Sequence, residues 1–168
     1  RLVRQIGRLR SLLFAPAVRP DFIEKLGGRG ADAVVIDCED ATPANAKAEG
    51  RRNARQLAPS IAAGGTQVVV RINAVSTDWF GDDVREALCE DLVAVIVPKI
   101  DTVEALDRVA SALDDAGFGF IGVIAGIETA LGEYPPADLD QLGATLECAH
   151  ADPTPGGLCA GGHGPFSP

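Results

Sequence analysis

The sequence lacks any apolar run long enough to cross a membrane. Its longest apolar stretches, such as residues 92–98 and 120–125, fall far short of the roughly 20 residues that a bilayer requires. Basic residues are fewer than acidic residues: the sequence has 15 Lys and Arg and 24 Asp and Glu, which gives a formal net charge of −9. Since an acidic surface repels phosphates, we predict no nucleic-acid partner. The short apolar stretches predict that no segment spans a membrane.

Several signatures of common enzyme classes are missing as well. No G-x-S-x-G, H-E-x-x-H or Walker sequence occurs, so nothing supports a hydrolase or a nucleoside triphosphatase. The glycine-rich stretch 27–30 follows a predicted helix rather than a strand, which argues against a dinucleotide-binding sheet. The four cysteines are irregularly spaced in a chain with enough apolar residues for a sizeable core. We therefore expect reduced thiols and a cytoplasmic protein.

Five short, β-branched apolar segments recur along the chain at roughly regular spacing. They are continuous rather than alternating, as in parallel strands that are covered on both faces. Segments with helical start and stop signals lie between them. The predicted strands span residues 11–16, 33–37, 67–73, 92–98 and 120–128, and the predicted helices span residues 20–28, 43–57, 82–89 and 101–116.

The alternation of strand and helix predicts an α/β fold built from βαβ units. Two closures fit this pattern: an open doubly wound sheet, and the first part of a TIM (β/α)8-type barrel. Polar residues follow the ends of four predicted strands, where a barrel places its chemistry. We therefore favour the barrel, with about five β/α units present in this chain.

The composition divides the chain into three parts. Residues 1–10 are rich in arginine and are predicted to form an N-terminal arm. Residues 11–131 carry the alternating pattern and are predicted to form a partial barrel domain. Residues 132–168 are rich in glycine and proline, show no such pattern, and are predicted to be an atypical tail.

Acidic residues collect at the predicted strand ends. Asp37, Glu39 and Asp40 lie at the end of the second strand, and Glu128 ends the fifth. In a barrel the carboxyl ends of the strands surround one opening, here called the mouth. Carboxylates from several strands at this mouth suit a hard divalent ion such as Mg²⁺, which prefers oxygen ligands. Glu128 is the best candidate for a direct ligand. In the alternative interpretation, the aspartates cap the following turn and Glu128 pairs with an arginine.

Two cations also stand at strand ends. Arg71 interrupts an otherwise apolar strand, and a guanidinium inside a strand is unfavourable unless it is paired. Its partner is either a substrate carboxylate or one of the acids just named. Lys99 follows Pro98 and has two interpretations. It either meets the acidic mouth, or it forms a Schiff base, which requires a desolvated amine.

Several segments, taken in order, carry a resemblance to a known family. They are R-S-L-L-F-A-P from position 10, R-P from 19, A-D-A-V-V-I-D-C-E-D-A from 31, V-R-I-N from 70, V-P-K from 97 and I-E-T-A from 127. With them the chain resembles the citrate lyase β-subunit-like family of the HpcH/HpaI aldolase superfamily, from about Arg10 to Leu131. The resemblance implies a trimeric TIM-type barrel that uses Mg²⁺ to cleave or form a C–C bond next to a carbonyl. The implied substrates are short keto acids or acyl-CoA thioesters.

The resemblance also implies catalytic and metal-binding roles. Arg71 matches the arginine that holds the carboxylate or carbonyl end of the substrate, and Glu128 matches the first Mg²⁺ carboxylate. Asp37, Glu39 and Asp40 match the acidic segment that orients metal-bound water and supports the site. We therefore take Arg71, Asp37 and Asp40 as catalytic candidates, and Glu39 as a metal contact through water.

The remaining site residues are predicted to bind substrate. Arg19, in the loop after the first strand, resembles part of the mouth where a thioester or its CoA carrier approaches. Asn73 and Lys99 lie at two further strand ends and join Arg71 as candidate substrate contacts.

The match to the family pattern stops near Leu131. The family continues with a strand whose Gly-Ala-x-Asp segment supplies the second metal carboxylate, and the stretch from Gly132 onward does not match it. We therefore expect a chain that is truncated, or read in a shifted frame, after about Leu131. Two functions follow as alternatives: an Mg²⁺-dependent C–C lyase, and a non-catalytic barrel fragment that lacks the second metal ligand.

Overall fold

The described part of the chain is built on one parallel sheet. The computed structural model describes residues 6–127. The strands are β1 (Leu12–Pro16), β2 (Ala33–Asp37), β3 (Gln67–Arg71), β4 (Ala94–Val97) and β5 (Gly122–Ala125). The helices between them are α1 (Pro20–Ile23), α2 (Lys47–Ala63), α3 (Phe80–Glu86) and α4 (Val103–Asp115), and a 3₁₀ turn at Ala44–Ala46 precedes α2.

The strands lie side by side in the same order as in the sequence, from β1 to β5, and every neighbouring pair is parallel. A doubly wound sheet reverses its strand order at a switch point, whereas a barrel adds each strand beside the previous one. The five described strands show no reversal. The order therefore excludes the doubly wound alternative for this part of the chain and confirms the barrel-type prediction.

The two faces of the sheet are packed differently. Because side chains alternate along a strand, Val34 and Ile36 point to one face and Ala33 and Val35 to the other. The first face packs against α2, α3 and α4 in the main core. The second forms a smaller cluster with residues of β3 and β4 and includes no residue of the described helices. Helices on a single face are the arrangement found on the outside of a barrel.

The predicted strands are all present: β2 has its predicted bounds and the other four strands are shorter than predicted. All four helices differ from their predicted bounds, and α4 differs least. Helix α1 has four residues, and the chain continues from Glu24 in turns rather than as a helix to residue 28. Helix α3 begins two residues before its predicted start. Helix α2 runs past its predicted end at residue 57 and contains Pro59. Its last turns bury Ala58 and Ile61 in the core, and this packing offsets the poor helix propensity of proline.

The described part of the predicted N-terminal arm, residues 6–10, packs at the amino end of the sheet. The Gly7 N–H donates to Gln67 Oε1 at 2.7 Å, and the Arg10 guanidinium pairs with Asp32 at 2.8 Å. The hydrogen bonds from Arg10 hold the pKa of the Asp32 carboxyl well below its usual range. The arm is therefore attached to the start of β2 and β3. Within residues 6–127, no helix combines the length and apolar character that crossing a membrane demands.

Candidate functional site

The register of β2 and β3 places Asp37 directly beside Arg71 at the carboxyl ends of the strands. Arg71 Nε donates to Asp37 Oδ1 at 2.9 Å, and Nη2 donates to Oδ2 at 2.6 Å. Two parallel hydrogen bonds of this kind fix both the position and the plane of the guanidinium. The partner of Arg71 in this structure is therefore an acid of the mouth, one of the two possibilities that the sequence leaves open.

Asp37 also accepts two backbone hydrogen bonds. The N–H of Glu39 donates to Oδ1 at 2.9 Å and that of Ala41 donates to Oδ2 at 3.1 Å. Burial raises the pKa of Asp37, but the hydrogen bonds from Arg71 and Glu39 outweigh burial and hold the pKa below its usual value. Both oxygens of this ionised carboxylate accept hydrogen bonds from protein groups, so Asp37 is arranged to hold Arg71 in place.

We expect the Arg71–Asp37 pair to make folding sensitive to acid. Since the pKa of Asp37 in the folded protein lies below the usual value of 3.8, the folded state binds fewer protons than the unfolded state. The contribution of Asp37 to stability is present above that pH and is lost as the pH falls through the folded pKa. Urea unfolding from about pH 5 to about pH 2 should show a steeper loss of stability for the wild type than for Asp37→Asn. Equal slopes would contradict the assignment.

Glu39 contacts the guanidinium of Arg71 on the side opposite Asp37, and these three residues form the Arg71 cluster. Its Oε2 lies 3.2 Å from Arg71 Nη1, and its Oε1 lies 4.0 Å from Lys99 Nζ. Lys99 has a φ of 57°, in the left-handed region that non-glycine residues seldom adopt and that often marks functional sites. Its side chain is 54% exposed. An amine so accessible to water lacks the desolvation that a Schiff base needs, so the geometry favours contact with the acidic mouth.

A buried polar network lies directly behind this cluster. Lys47 Nζ donates to the carbonyls of Cys38 and Glu39 and to Asn73 Oδ1, and Asn73 Nδ2 donates to Asp83 Oδ2 at 2.6 Å. Burial lowers the pKa of Lys47. Burial also raises the pKa of Asp83, against the opposing hydrogen bonds from Asn73. The predicted substrate contact Asn73 is thus deeply buried, with its amide bonded to protein groups; its contact with substrate stays a prediction.

Neither Lys47 nor Asp83 is among the site residues that the sequence predicts. A signal for Lys47 exists, because the helical spacing of the buried residues Ala54, Ala58 and Ile61 continues back to it. Asp83 has no comparable signal. Acids in the first turn of α3 are expected from the helix dipole alone, and Asp82 fits that expectation equally well.

A cavity of about 270 Å³ opens at the carboxyl end of the strands. Glu39, Asp40, Lys47, Trp79 and Lys99 are among its lining residues, so charges of both signs surround it beside one aromatic ring. The cavity therefore suits a small polar molecule. Exposed Asp40 lies at its rim, next to the Arg71 cluster.

One predicted site residue, Arg19, has its contacts outside the Arg71 cluster. Arg19 is bound to Asp21 through two hydrogen bonds and stacks on Phe22, with its guanidinium carbon 3.8 Å from the ring centroid. It does not line the cavity of about 270 Å³. Glu128, the predicted direct metal ligand, lies outside the described residues. Among residues 6–127, no group of three or more His, Cys, Asp or Glu side chains is arranged to hold a metal ion.

Strands in sequential order and helices on one face define a barrel-type α/β protein. The arginine–carboxylate cluster, as the candidate site, lies at the carboxyl ends of the strands, where barrels place their chemistry. Comparison with known families agrees with this class. A sequence model described as HpcH/HpaI aldolase/citrate lyase matches residues 10–133. The chain belongs to this family.

Individual relatives are similar over most of the chain. A citrate lyase subunit beta-like protein of Deinococcus radiodurans is 41% identical over 138 residues, covering 80% of this chain and 48% of that protein. An L-malyl-CoA/beta-methylmalyl-CoA lyase of Rhodobacter capsulatus is 32% identical over 113 residues, covering 64% of this chain and 36% of that enzyme. The chain thus spans about half the length of the first relative and about a third of the second.

A solved structure has the same arrangement. The citrate lyase beta subunit from M. tuberculosis, complexed with oxaloacetate and magnesium, superposes with a TM-score of 0.60 at 27% identity. The superposition covers 79% of this chain and 53% of that one. The partial barrel predicted from the sequence is therefore confirmed for the described residues.

Proposed function

We propose that the chain acts as an Mg²⁺-dependent carbon–carbon lyase of the citrate lyase β-like type. Its substrate would be a short keto acid or acyl-CoA thioester, cleaved or formed by retro-aldol or Claisen chemistry. The observation that carries the proposal is the guanidinium of Arg71, held by Asp37 and Glu39 at the carboxyl ends of the strands. The solved relative with oxaloacetate and magnesium supports the same class of ligand. We assign the activity to residues 11–131, in a cytoplasmic homotrimer.

Arg71 would hold the carboxylate of the substrate. Its side chain is partly exposed, while Asp37 fixes its plane from within the sheet. A planar fork of donors matches a carboxylate better than a flexible ammonium does. Lys99, across Glu39 from Arg71, supplies a second positive charge at the mouth. Exposed Arg19 is the proposed contact for the distal part of a thioester substrate.

The described residues fit a supporting role around a divalent ion. Glu39 and Asp40 offer hard oxygen atoms at the mouth, the kind that Mg²⁺ prefers and reaches through its bound waters. Glu128 would be the direct ligand, and Glu39 would act through water. When bound, Mg²⁺ supplies Lewis-acid stabilisation for the enolate that C–C cleavage develops. Asp37, already engaged by Arg71 and two backbone N–H groups, would support the site as the partner of Arg71.

Calorimetric titration of the full chain with oxaloacetate, with and without Mg²⁺, tests the proposal. We expect binding that depends on Mg²⁺, and we expect Glu128→Gln to lose that dependence because a neutral amide is a poor ligand for Mg²⁺. Arg85→Ala removes an exposed arginine that bonds to Asp82, away from the mouth, and serves as the matched control with unchanged binding. A folded wild-type sample that binds neither Mg²⁺ nor oxaloacetate would contradict the proposal and favour the non-catalytic fragment.

A further inference from the structure

The buried ammonium of Lys47 connects the ends of β2 and β3. Its Nζ donates to the carbonyl oxygens of Cys38 at 2.8 Å and Glu39 at 2.6 Å, and to Asn73 Oδ1 at 2.8 Å. An ammonium has three N–H donors, and here each has an acceptor at close range. The ring of Trp79 lies 5.0 Å from Nζ and covers it as well. Lys47 therefore has no donor left for a ligand, although it lines the cavity at the mouth.

Asn73 extends the connection to α3. Its Nδ2 donates to the Cys38 carbonyl at 3.1 Å and to Asp83 Oδ2 at 2.6 Å, and its backbone N–H donates to the same Asp83 oxygen at 2.8 Å. Arg51, one turn beyond Lys47 on α2, reaches Asp83 Oδ1 at 3.4 Å. The loops after β2 and β3 are thus tied to two helices through buried, charge-assisted hydrogen bonds.

The carbonyl groups that Lys47 holds belong to the acidic segment of the site. Glu39, whose carbonyl accepts the shortest of the three bonds, also places its carboxylate 3.2 Å from Arg71 Nη1. The Glu39 N–H donates to Asp37, which holds the other side of the same guanidinium. A shift of this peptide would move both carboxylates relative to Arg71.

We propose that Lys47 is a positioning residue for the mouth: by clamping the Cys38 and Glu39 carbonyls to Asn73, it sets the geometry in which Asp37 and Glu39 hold Arg71. The consequence for substrate rests on the function proposed above. The consequence for Arg71 does not, because the orientation of the guanidinium can be measured without ligand.

Arg51→Met is the control that separates positioning from general stabilisation. Lys47 and Arg51 lie one turn apart on the same helix and are equally buried, each with 6% of its surface exposed. Arg51 bonds to Glu86 and Asp83 on α3 and makes no hydrogen bond to the end of β2. Lys47→Met and Arg51→Met therefore each remove one buried cation from α2, but only the first releases the acidic segment.

The experiment measures solvent exchange of the Arg71 Nε proton by ¹⁵N NMR on the full chain, with the signal assigned by its loss in Arg71→Ala. Urea unfolding of each variant corrects for global stability. We expect exchange in Lys47→Met to be roughly tenfold faster than in the wild type, as follows when a buried acceptor loses its donor and the segment opens locally. In Arg51→Met we expect a change of less than about twofold after the same correction. Equal acceleration in the two variants, or none in Lys47→Met, would overturn the proposal.

Lys47→Gln provides a second test if the methionine variant fails to fold. Its amide keeps two N–H donors without the charge, so we expect the Arg71 Nε proton to exchange faster than in the wild type, by less than the roughly tenfold expected for Lys47→Met. A rate equal to that of the wild type would show that the charge and the third hydrogen bond do not position Arg71. If calorimetry finds no ligand binding in the wild type, the proposed function fails, and the exchange rates still decide the role of Lys47.

Discussion

Replacement of Arg71 with alanine is expected to remove both the proposed substrate contact and the partner of two buried carboxylates. Asp37 and Glu39 would remain in the sheet end without their common cation. Leaving a buried charge uncompensated is strongly destabilising, so we expect a loss of about 3 kcal/mol in the free energy of unfolding. Binding of oxaloacetate should weaken by roughly 100-fold or more, as when one partner of a hydrogen-bonded charge pair is truncated.

Arg71→Lys separates charge from geometry in this prediction. A lysine keeps the positive charge but cannot make the two parallel hydrogen bonds that Asp37 receives from the guanidinium. We expect it to recover part of the lost stability and little of the lost binding. Urea unfolding and calorimetric titration measure the two effects separately. A folded Arg71→Ala that binds oxaloacetate like the wild type would show that this arginine has a purely structural role.

Asp83→Ala is expected to have the largest effect on stability among the acids of α3. The Asp83 side chain is 0% exposed and accepts hydrogen bonds from the backbone and amide of Asn73 and from Arg51. Its removal leaves these buried donors without their acceptor. Each unsatisfied group is unfavourable, so we expect a loss of about 3 kcal/mol or more in the free energy of unfolding.

The neighbouring Asp82 provides the matched control. It has the same chemistry and the same helix, but its side chain is 42% exposed and pairs with exposed Arg85 and, at 3.7 Å, with Arg51. Since solvent-exposed ion pairs contribute little, Asp82→Ala should change stability by no more than about 0.5 kcal/mol. Urea unfolding of both variants at neutral pH measures the contrast. Similar losses in the two would mean that burial of Asp83 does not decide its contribution.

The order of the elements could be predicted because it depends on local pattern. Continuous β-branched runs such as Ala33–Asp37 indicate covered parallel strands wherever they occur. Helix boundaries were harder to predict from the sequence, because they depend on tertiary contacts with distant segments. The helix predicted over residues 43–57 continues through Pro59 to Ala63, because Ala58 and Ile61 are buried in the core.

The sequence predicts where the candidate site lies, but it does not predict which charged side chains pair with each other there. Asp37 and Arg71 are the last residues of β2 and β3, and Lys99 lies two residues after β4. Parallel strands bring their carboxyl ends to one edge. That Arg71 faces Asp37 and Glu39 depends on the register of two strands more than 30 residues apart in the sequence. The predicted catalytic, substrate-binding and metal-binding roles of all the site residues stay predictions.

The sequence by itself determined the α/β alternation, the family and the collection of charged groups at strand ends, because period and residue type act through near neighbours in the chain. The tertiary structure confirmed the sequential strand order of a barrel, and it alone decided the partner of Arg71 and the burial of Lys47 and Asp83. These features arise only when distant segments pack together. A buried charge is stable only with a partner at hydrogen-bonding distance, and which partner lies there is a property of the folded register.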